Sequence, residues 1–525
     1  MNSGKVRCIF FLLSLFIVST KSLPSIAAAG DVEWWCRLVP HPEPCRHYLS
    51  HPHAPHRLNR RSDFFKFSVE AALGLALRAQ SSIMRLGSSY RSAPEKTAWL
   101  DCWKLLCNTV FQLNRTLTPP GGRRTNLDSQ TWLSAALTNL HTCRRGFSEL
   151  RANSTVILPV MRNRLSSLIS NCLAINNAAL NASAGGTTVP PVWSPAAGRK
   201  LLQLSARADF IVAQDGSGKF KTIKEALDAA AALRRSTGRR IVIYVKTGVY
   251  SEILNIVSSL SDITMTGDGK GKTIITGCRS VAGGYTTLSC PIFSVFSDGF
   301  MAIGMTFRNT FGPGSQAVAL LSGSDRSVFY RCSFEGYQDT LCVYSQRQFY
   351  RECDISGTID FIFGNAVAVI QSCNIFVRKP SKGEANVITA QGRTDQYQNT
   401  GIVIQFCRVT AAPEFLPVLR MVKSYLGRPW QRYSRAVFMQ SFIDCIIDPA
   451  GWLPFDGDFA LDTLYYAEYN NTGPGSGSRI LRQRVKWRGF HLILRPSLIG
   501  QFTVGRFIAG GSWLPATGVP FTPGL

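Results

Sequence analysis

Phe329-Tyr330-Arg331-Cys332-Ser333-Phe334-Glu335-Gly336-Tyr337-Gln338-Asp339-Thr340-Leu341 is followed by Phe349-Tyr350-Arg351-Glu352-Cys353 and then by Asp360-Phe361-Ile362-Phe363-Gly364-Asn365. The second passage repeats the first. Asp339 stands as far beyond Cys332 as Asp360 stands beyond Cys353, so cysteine and aspartate recur at one common offset. Val369-Ile370-Gln371-Ser372-Cys373 is a third echo after nearly the same interval, and Val403-Ile404-Gln405-Phe406-Cys407 is a fourth, displaced by an insertion. A period of about 20 residues marks a solenoid. Its units are short β-branched and aromatic runs broken by Gly, Asn or Ser, so the coils are strands and turns. No leucine ladder supports a leucine-rich repeat. The reading is an all-β, right-handed parallel β-helix, whose equivalent positions stack about one strand spacing apart, ~4.8 Å.

That register places Asp339 beside Asp360. Two adjacent carboxylates do not both ionise readily: one holds its proton at a raised pKa while the other stays anionic. Identical side chains then supply an acid and a nucleophile or base. An aspartate ladder that caps turns or holds calcium has the same spacing, so spacing alone leaves both readings open.

The residues around the two aspartates narrow this. Gly336–Leu341 (GYQDTL) and Asp360–Ala366 (DFIFGNA) resemble the signature stretches of plant pectin methylesterases. The resemblance runs on through QDGSGKFKTI from Gln214, GVYSE from Gly248, QAVAL from Gln316, TAQGR from Thr389, LGRPW from Leu426, PAGW from Pro449 and EYNNTGPG from Glu468. It implies a carboxylic ester hydrolase that removes methyl esters from pectin. The implied roles are Asp360 as nucleophile and Asp339 as proton donor, with Gln316 and Gln338 as oxyanion donors. Arg428 would pair with Asp360 and keep it ionised. Thr286, Gln316, Arg428, Trp430 and Trp452 are the implied substrate contacts, the two tryptophans by stacking on sugar rings; core packing is the alternative for both. The chain departs from the family pattern at Ser315, Leu288, Cys342 and Tyr344, where His, Phe, an aromatic and His are usual. The walls of the sugar groove therefore differ while the catalytic set is intact.

Residues 30 to 182 read differently. Four stretches carry apolar residues at three- and four-residue spacing, which predicts an all-α four-helix bundle. Cys36 and Cys45 bracket a proline-rich turn, and Cys102 and Cys143 lie in separate helices that they could staple. With Asp101-Cys102 and Cys143-Arg144-Arg145-Gly146-Phe147, this part resembles the pectin methylesterase inhibitor domain found as a pro-region in the same family. A plain folding pro-domain is the alternative. The domain reading is therefore 1–29 signal peptide, 30–182 inhibitor-like bundle, 183–206 linker and 207–525 esterase β-helix.

Residues 1–29 carry Lys5 and Arg7, an apolar run from Ile9 to Val18, and Ala27-Ala28-Ala29 as a cleavage site. Secretion to the cell wall is expected, with no membrane anchor after signal removal. Sequons at Asn114, Asn153, Asn181 and Asn470 fit that route. So do fifteen cysteines, among which Cys332, Cys353 and Cys373 sit on adjacent coils within disulfide reach of their neighbours, with Cys407 a further candidate. Arg199-Lys200-Leu201-Leu202 in the linker resembles the family's subtilase-type processing motif. The net charge of +26 is shared by both parts, with 19 Lys/Arg against 9 Asp/Glu from Gly30 to Leu180. In a secreted chain such a balance favours an acidic polysaccharide over nucleic acid.

Other chemistries fit poorly. His491 is the one histidine after Leu202 and there is no GxSxG, which argues against a Ser-His-Asp hydrolase. No Cys/His cluster has zinc spacing, and no metal or cofactor is expected. Gly271-Lys272-Thr273 lacks the first glycine of a phosphate loop, since Thr266 stands there. The alternatives are a β-helix glycosidase or lyase, and a non-catalytic or weakly active pectin-binding wall protein. A monomer is expected.

Overall fold

The computed structural model describes residues 32–49, 60–87, 92–153, 164–182 and 205–525. The signal segment and the Arg199–Leu202 processing motif lie outside the described residues. Two short helices, α1 (Val32–Cys36) and α2 (Pro42–Leu49), precede four long ones: α3 (Arg61–Leu86), α4 (Ala93–Leu117), α5 (Asn126–Glu149) and α6 (Leu165–Ala182). α4 and α5 begin with reciprocal capping boxes, Ser92/Glu95 and Thr125/Asp128, which satisfy backbone donors that the helix itself leaves free. Disulfides Cys36–Cys45 and Cys102–Cys143 form, the first tying α1 to α2 and the second tying α4 to α5.

From Phe210 onward the chain winds into a parallel β-helix. Among the described residues its strands form three parallel sheets of eleven, seven and eight members. The register follows the repeat. Val328 pairs with Phe349 and Leu341 with Ile362, the same offset that separates Asp339 from Asp360; Phe349 pairs with Val369, and Val369 with Val403 across the insertion. Coils stack aromatic on aromatic inside, as where Phe329 lies over Tyr350 with ring centroids 4.8 Å apart and planes 8° from parallel. Arg331, Glu352, Ser372, Phe406 and Gln440 all adopt φ between 52° and 55°. One left-handed residue per coil turns the chain between the eleven-stranded and eight-stranded sheets, a conformation that non-glycine residues adopt only when packing enforces it.

The cysteine column immediately follows these turns. Here the expectation of disulfides is corrected: Cys332, Cys353, Cys373 and Cys407 are free, buried thiols. Each Sγ donates instead to a carbonyl of the preceding coil, Cys353 to Phe329 at 3.3 Å and Cys407 to Ile370 at 3.3 Å. The repeat that brings the sulfurs together also gives each a backbone acceptor.

The first end and two faces of the solenoid are covered. Helix α7 (Ile223–Thr237) buries Ile223, Ala226 and Ala230 against the first strands, the polar-faced cap that a solenoid requires. The C-terminal tail packs Phe502, Phe507, Trp513 and Leu514 on the outer face of the eleven-stranded sheet. The helical unit lies on the outer face of the seven-stranded sheet, where its core is continuous with Val318, Leu321, Cys342, Tyr344, Phe363 and Ala390. Asn114, Asn153, Asn181 and Asn470 are all exposed. No helix among the described residues is long and apolar enough to cross a membrane.

Phe329 touches Phe300, Phe307, Phe334 and Tyr350 and is fully buried. Phe329→Ala should therefore cost about 3–5 kcal/mol, read as a lower midpoint in denaturant unfolding. A loss below about 1 kcal/mol would contradict the stacked interior.

Candidate active site

Asp339 and Asp360 occupy the same turn of adjacent coils, each two residues before its strand, Leu341–Val343 and Ile362–Gly364. Both are left-handed, with φ of 62° and 51°, a strained conformation of the kind retained at functional turns. The Asp339 N–H donates to the Ile359 carbonyl at 3.0 Å, which locks one turn to the next. Gly357 permits that stacking: a Cβ there would overlap the Phe361 side chain and come within 2.7 Å of the Tyr337 carbonyl.

Arg428 reaches Asp360 from two coils further on, just past strand Ser424–Gly427. Its Nε donates to Oδ1 at 2.9 Å and its Nη2 to Oδ2 at 2.7 Å, a bidentate pair. The Arg428 N–H is fixed on the Thr389 carbonyl, and its guanidinium lies 4.8 Å from the Phe455 ring centroid. The two carboxylates consequently differ. Burial, then the charge of Asp360, pushes Asp339 well above the usual carboxylate range. Burial also raises Asp360, but the two Arg428 bonds pull against it. The arginine expected to keep Asp360 ionised is thus opposed: beneath the helical unit, burial outweighs it. The order of the pair is kept, with the proton held more tightly on Asp339.

Gln316 and Gln338 are half-buried. Their carbonyls accept from Val281 and Ala317, at 3.0 and 3.1 Å, so their backbones are fixed. Neither side-chain amide hydrogen-bonds a described residue, which leaves both as available donors. Trp430 stands at the groove, edge-on to Phe363. Trp452 does not. It is 1 % exposed, stacks on Tyr466 at 4.2 Å inside the β-helix, and donates to Glu468 at 3.2 Å. Its implied sugar contact is corrected to a core role, set by the buried Glu468–Arg484 pair that its indole completes.

The helical unit covers this face. Arg145 on α5 places its guanidinium 4.3 Å from the Trp430 ring centroid and pairs with Glu149 at 2.9 Å. Its charge acts on both Asp339 and Asp360. Glu149 accepts from the Thr287 N–H at 2.9 Å, and Thr286 donates to Asp101 of α4 at 2.5 Å. Thr286 is therefore engaged by the bundle. Two spaces remain along this interface, one of about 40 Å³ between Thr286, Cys342, Trp430 and the bundle, and one of about 320 Å³ between Asn365, Trp430 and the Arg144–Arg145 side of α5; neither Asp339 nor Asp360 lines either one. Further along, Arg115 pairs with Asp298 at 2.5 Å, and Arg347 bridges Asp128 and Asp325 at 2.7 Å each. Three departures from the family pattern fall in this interface: Leu288 and Cys342 line it, and the Tyr344 hydroxyl donates to Asn139 at 3.0 Å. Arg145, Glu149 and Asp101 were not singled out from the sequence as site residues, although Arg145 sits in the CRRGF stretch and Asp101 in the Asp-Cys pair that carried the inhibitor resemblance. Nothing in either stretch says which residue points at the partner. Among the described residues no group of three or more His, Cys, Asp or Glu could hold a metal ion.

Comparison with known proteins agrees with both halves. A family model for pectinesterase matches residues 209–511, and one for plant invertase/pectin methylesterase inhibitor matches residues 30–175. Pectinesterase 2 of Citrus sinensis is 52% identical over 518 residues, covering 98% of this chain and 99% of its own. Probable pectinesterase/pectinesterase inhibitor 17 of Arabidopsis thaliana is 51% identical over 518 residues, covering 98% of both. Among solved structures, the pectin methylesterase from carrot is 50% identical with a TM-score of 0.58, covering 61% of this chain and 98% of that one.

Proposed function

The chain belongs to the pectinesterase family, and from that premise we propose that it is a secreted enzyme of the cell wall that demethylates pectin through an aspartyl acyl-enzyme and is held inactive by its own helical unit. One observation carries the chemistry: two stacked aspartates, of which only Asp360 is clamped by a bidentate arginine. Asp360, kept anionic by Arg428, attacks the carbonyl carbon of a galacturonate methyl ester. The negative charge that develops on the ester oxygen is met by the side-chain amides of Gln316 and Gln338. Asp339, which holds the proton, delivers it to the departing methanol. It then takes a proton from water, which opens the acyl-enzyme and frees the carboxylate. The strongly basic chain favours a polyanionic wall polymer as its substrate. The processing motif at Arg199–Leu202 supports removal of the helical unit by a subtilase-type protease, with 30–182, 183–206 and 207–525 as the functional divisions of the chain.

The inhibitory reading rests on Arg145. It takes the face of Trp430 that a sugar ring would use, and it presents a cation to two carboxylates in place of a neutral ester. A glycosidase reading of the two carboxylates is separated by product, since methanol and new reducing ends are distinct.

Asp360→Asn should keep the fold and lower methanol release from methylated pectin at least about a thousandfold in the cut enzyme. Near-normal release by a folded Asp360→Asn protein would remove the covalent mechanism. The uncut chain should be inactive, and cutting after Lys200 or Leu202 should restore methanol release. Arg145→Ala should raise the activity of the uncut chain. Equal activity of cut and uncut wild type would leave the helical unit a folding or transport role.

A further inference from the structure

Beyond the groove, a cavity of about 390 Å³ opens where strands Arg435–Met439 and Tyr465–Tyr469 begin, within the size range of small-ligand sites. Arg435 and Tyr465 are register partners in the eleven-stranded sheet, and Tyr433 and Arg393 complete the wall. Arg393 ends the TAQGR stretch, which the esterase chemistry does not use. The two arginines face the same space and repel one another. Neither makes an ion pair among the described residues, unlike Arg347, Arg428 and Arg484, each of which faces a carboxylate.

Arg393 is 8 % exposed. Its Nη2 donates to the Gln396 carbonyl, and its Nε is buried with no hydrogen-bond partner. The one carboxylate that acts on it, Asp395, is already engaged, accepting from Ser170 at 2.6 Å and from the Tyr397 N–H at 2.8 Å. A guanidinium cannot shed its proton to relieve this arrangement. What it lacks is an anion with two oxygens, which guanidinium geometry matches best. Tyr465 already packs against His491 and Phe502, and the half-buried Tyr433 ring is the one that suits the C–H face of a pyranose.

We propose that this cavity is a second saccharide site, which takes the free carboxylate of a de-esterified uronate. The identity of the ligand rests on the pectin reading above; the anion site itself rests on the two arginines. A methyl ester carries no charge to answer them, so the site distinguishes product from substrate. None of the residues lining the cavity belongs to the helical unit. The loop that follows Arg393 contacts that unit through Tyr397 and Gln398 instead. Among the described residues, the cavity is thus uncovered by the helical unit while the groove is covered.

The test is calorimetric titration of a fully de-esterified galacturonate trimer into the full-length chain carrying Asp360→Asn, at physiological salt. One saturable site is expected. Arg435→Gln should weaken it about tenfold or more, the effect of one lost charge-assisted contact, and Arg435→Lys should weaken it less. Gln501→Glu places a negative charge at the exposed mouth of the cavity without disturbing the core, and should abolish binding. This variant decides the matter if Arg435→Gln fails to fold by circular dichroism. The methyl-esterified trimer should not bind, and inorganic phosphate in tenfold excess should not displace the acid trimer. Undiminished binding by the Gln501→Glu protein, equal binding of the ester, or displacement by phosphate would each overturn the assignment. Binding is read here without turnover. Trimer binding together with a wild-type cut enzyme that releases no methanol would overturn the catalytic reading while supporting this one.

Discussion

The bidentate contact between Arg428 and Asp360 depends on coil stacking and in turn separates two otherwise equivalent carboxylates. Asp339 and Asp360 occupy equivalent turns, carry similar left-handed backbones and are both buried. Symmetry of position would give them similar proton affinities. The arginine breaks it from two coils beyond, because only Asp360 lies within reach of both guanidinium nitrogens. Each link requires the solenoid register: one residue of slip would turn every inward side chain outward.

The helical unit acts on the same electrostatics. Its contacts are polar at the groove and apolar beneath, with Arg145 over Trp430, Glu149 on the Thr287 N–H and Asp101 on Thr286. Covering the carboxylates removes water from them, which raises both proton affinities. Under the bundle, therefore, the nucleophile candidate is less readily ionised than Arg428 alone would make it. The Arg145 charge works against that burial at both carboxylates, and burial is the larger of the two.

Much of this was legible in the chain. The echo of Cys332 and Asp339 in Cys353 and Asp360 specified which residues pair, and the structure pairs them as that spacing requires, including the offset introduced before Cys407. The helical periodicity and the Cys36/Cys45 and Cys102/Cys143 spacings led to the bundle and its two disulfides. Where reading failed, the deciding term was three-dimensional. Proximity of the cysteine column suggested disulfides, but proximity does not say whether each sulfur also has a carbonyl to bond. Trp452 carries the same family signal as Trp430, yet the buried Glu468–Arg484 pair gives its indole an inward partner. Arg393 closes the TAQGR stretch, but nothing in the chain ties it to Arg435, and only the coil geometry brings the two to one cavity.

The central claim is that Arg428 assigns the proton within the aspartate pair. The direct measurement is methanol release against pH by cut wild type and Arg428→Ala, with circular dichroism to confirm folding. Asp360 has to be anionic to attack. Removing a cation that lowers its proton affinity raises its pKa, so activity should be lost earlier as pH falls. One pKa unit corresponds to about 1.4 kcal/mol, and the acidic limb should therefore move upward by a readable fraction of a unit or more, with a lower maximal rate. An unchanged acidic limb, with activity lost only through weaker substrate binding, would contradict the account and make Arg428 a substrate contact.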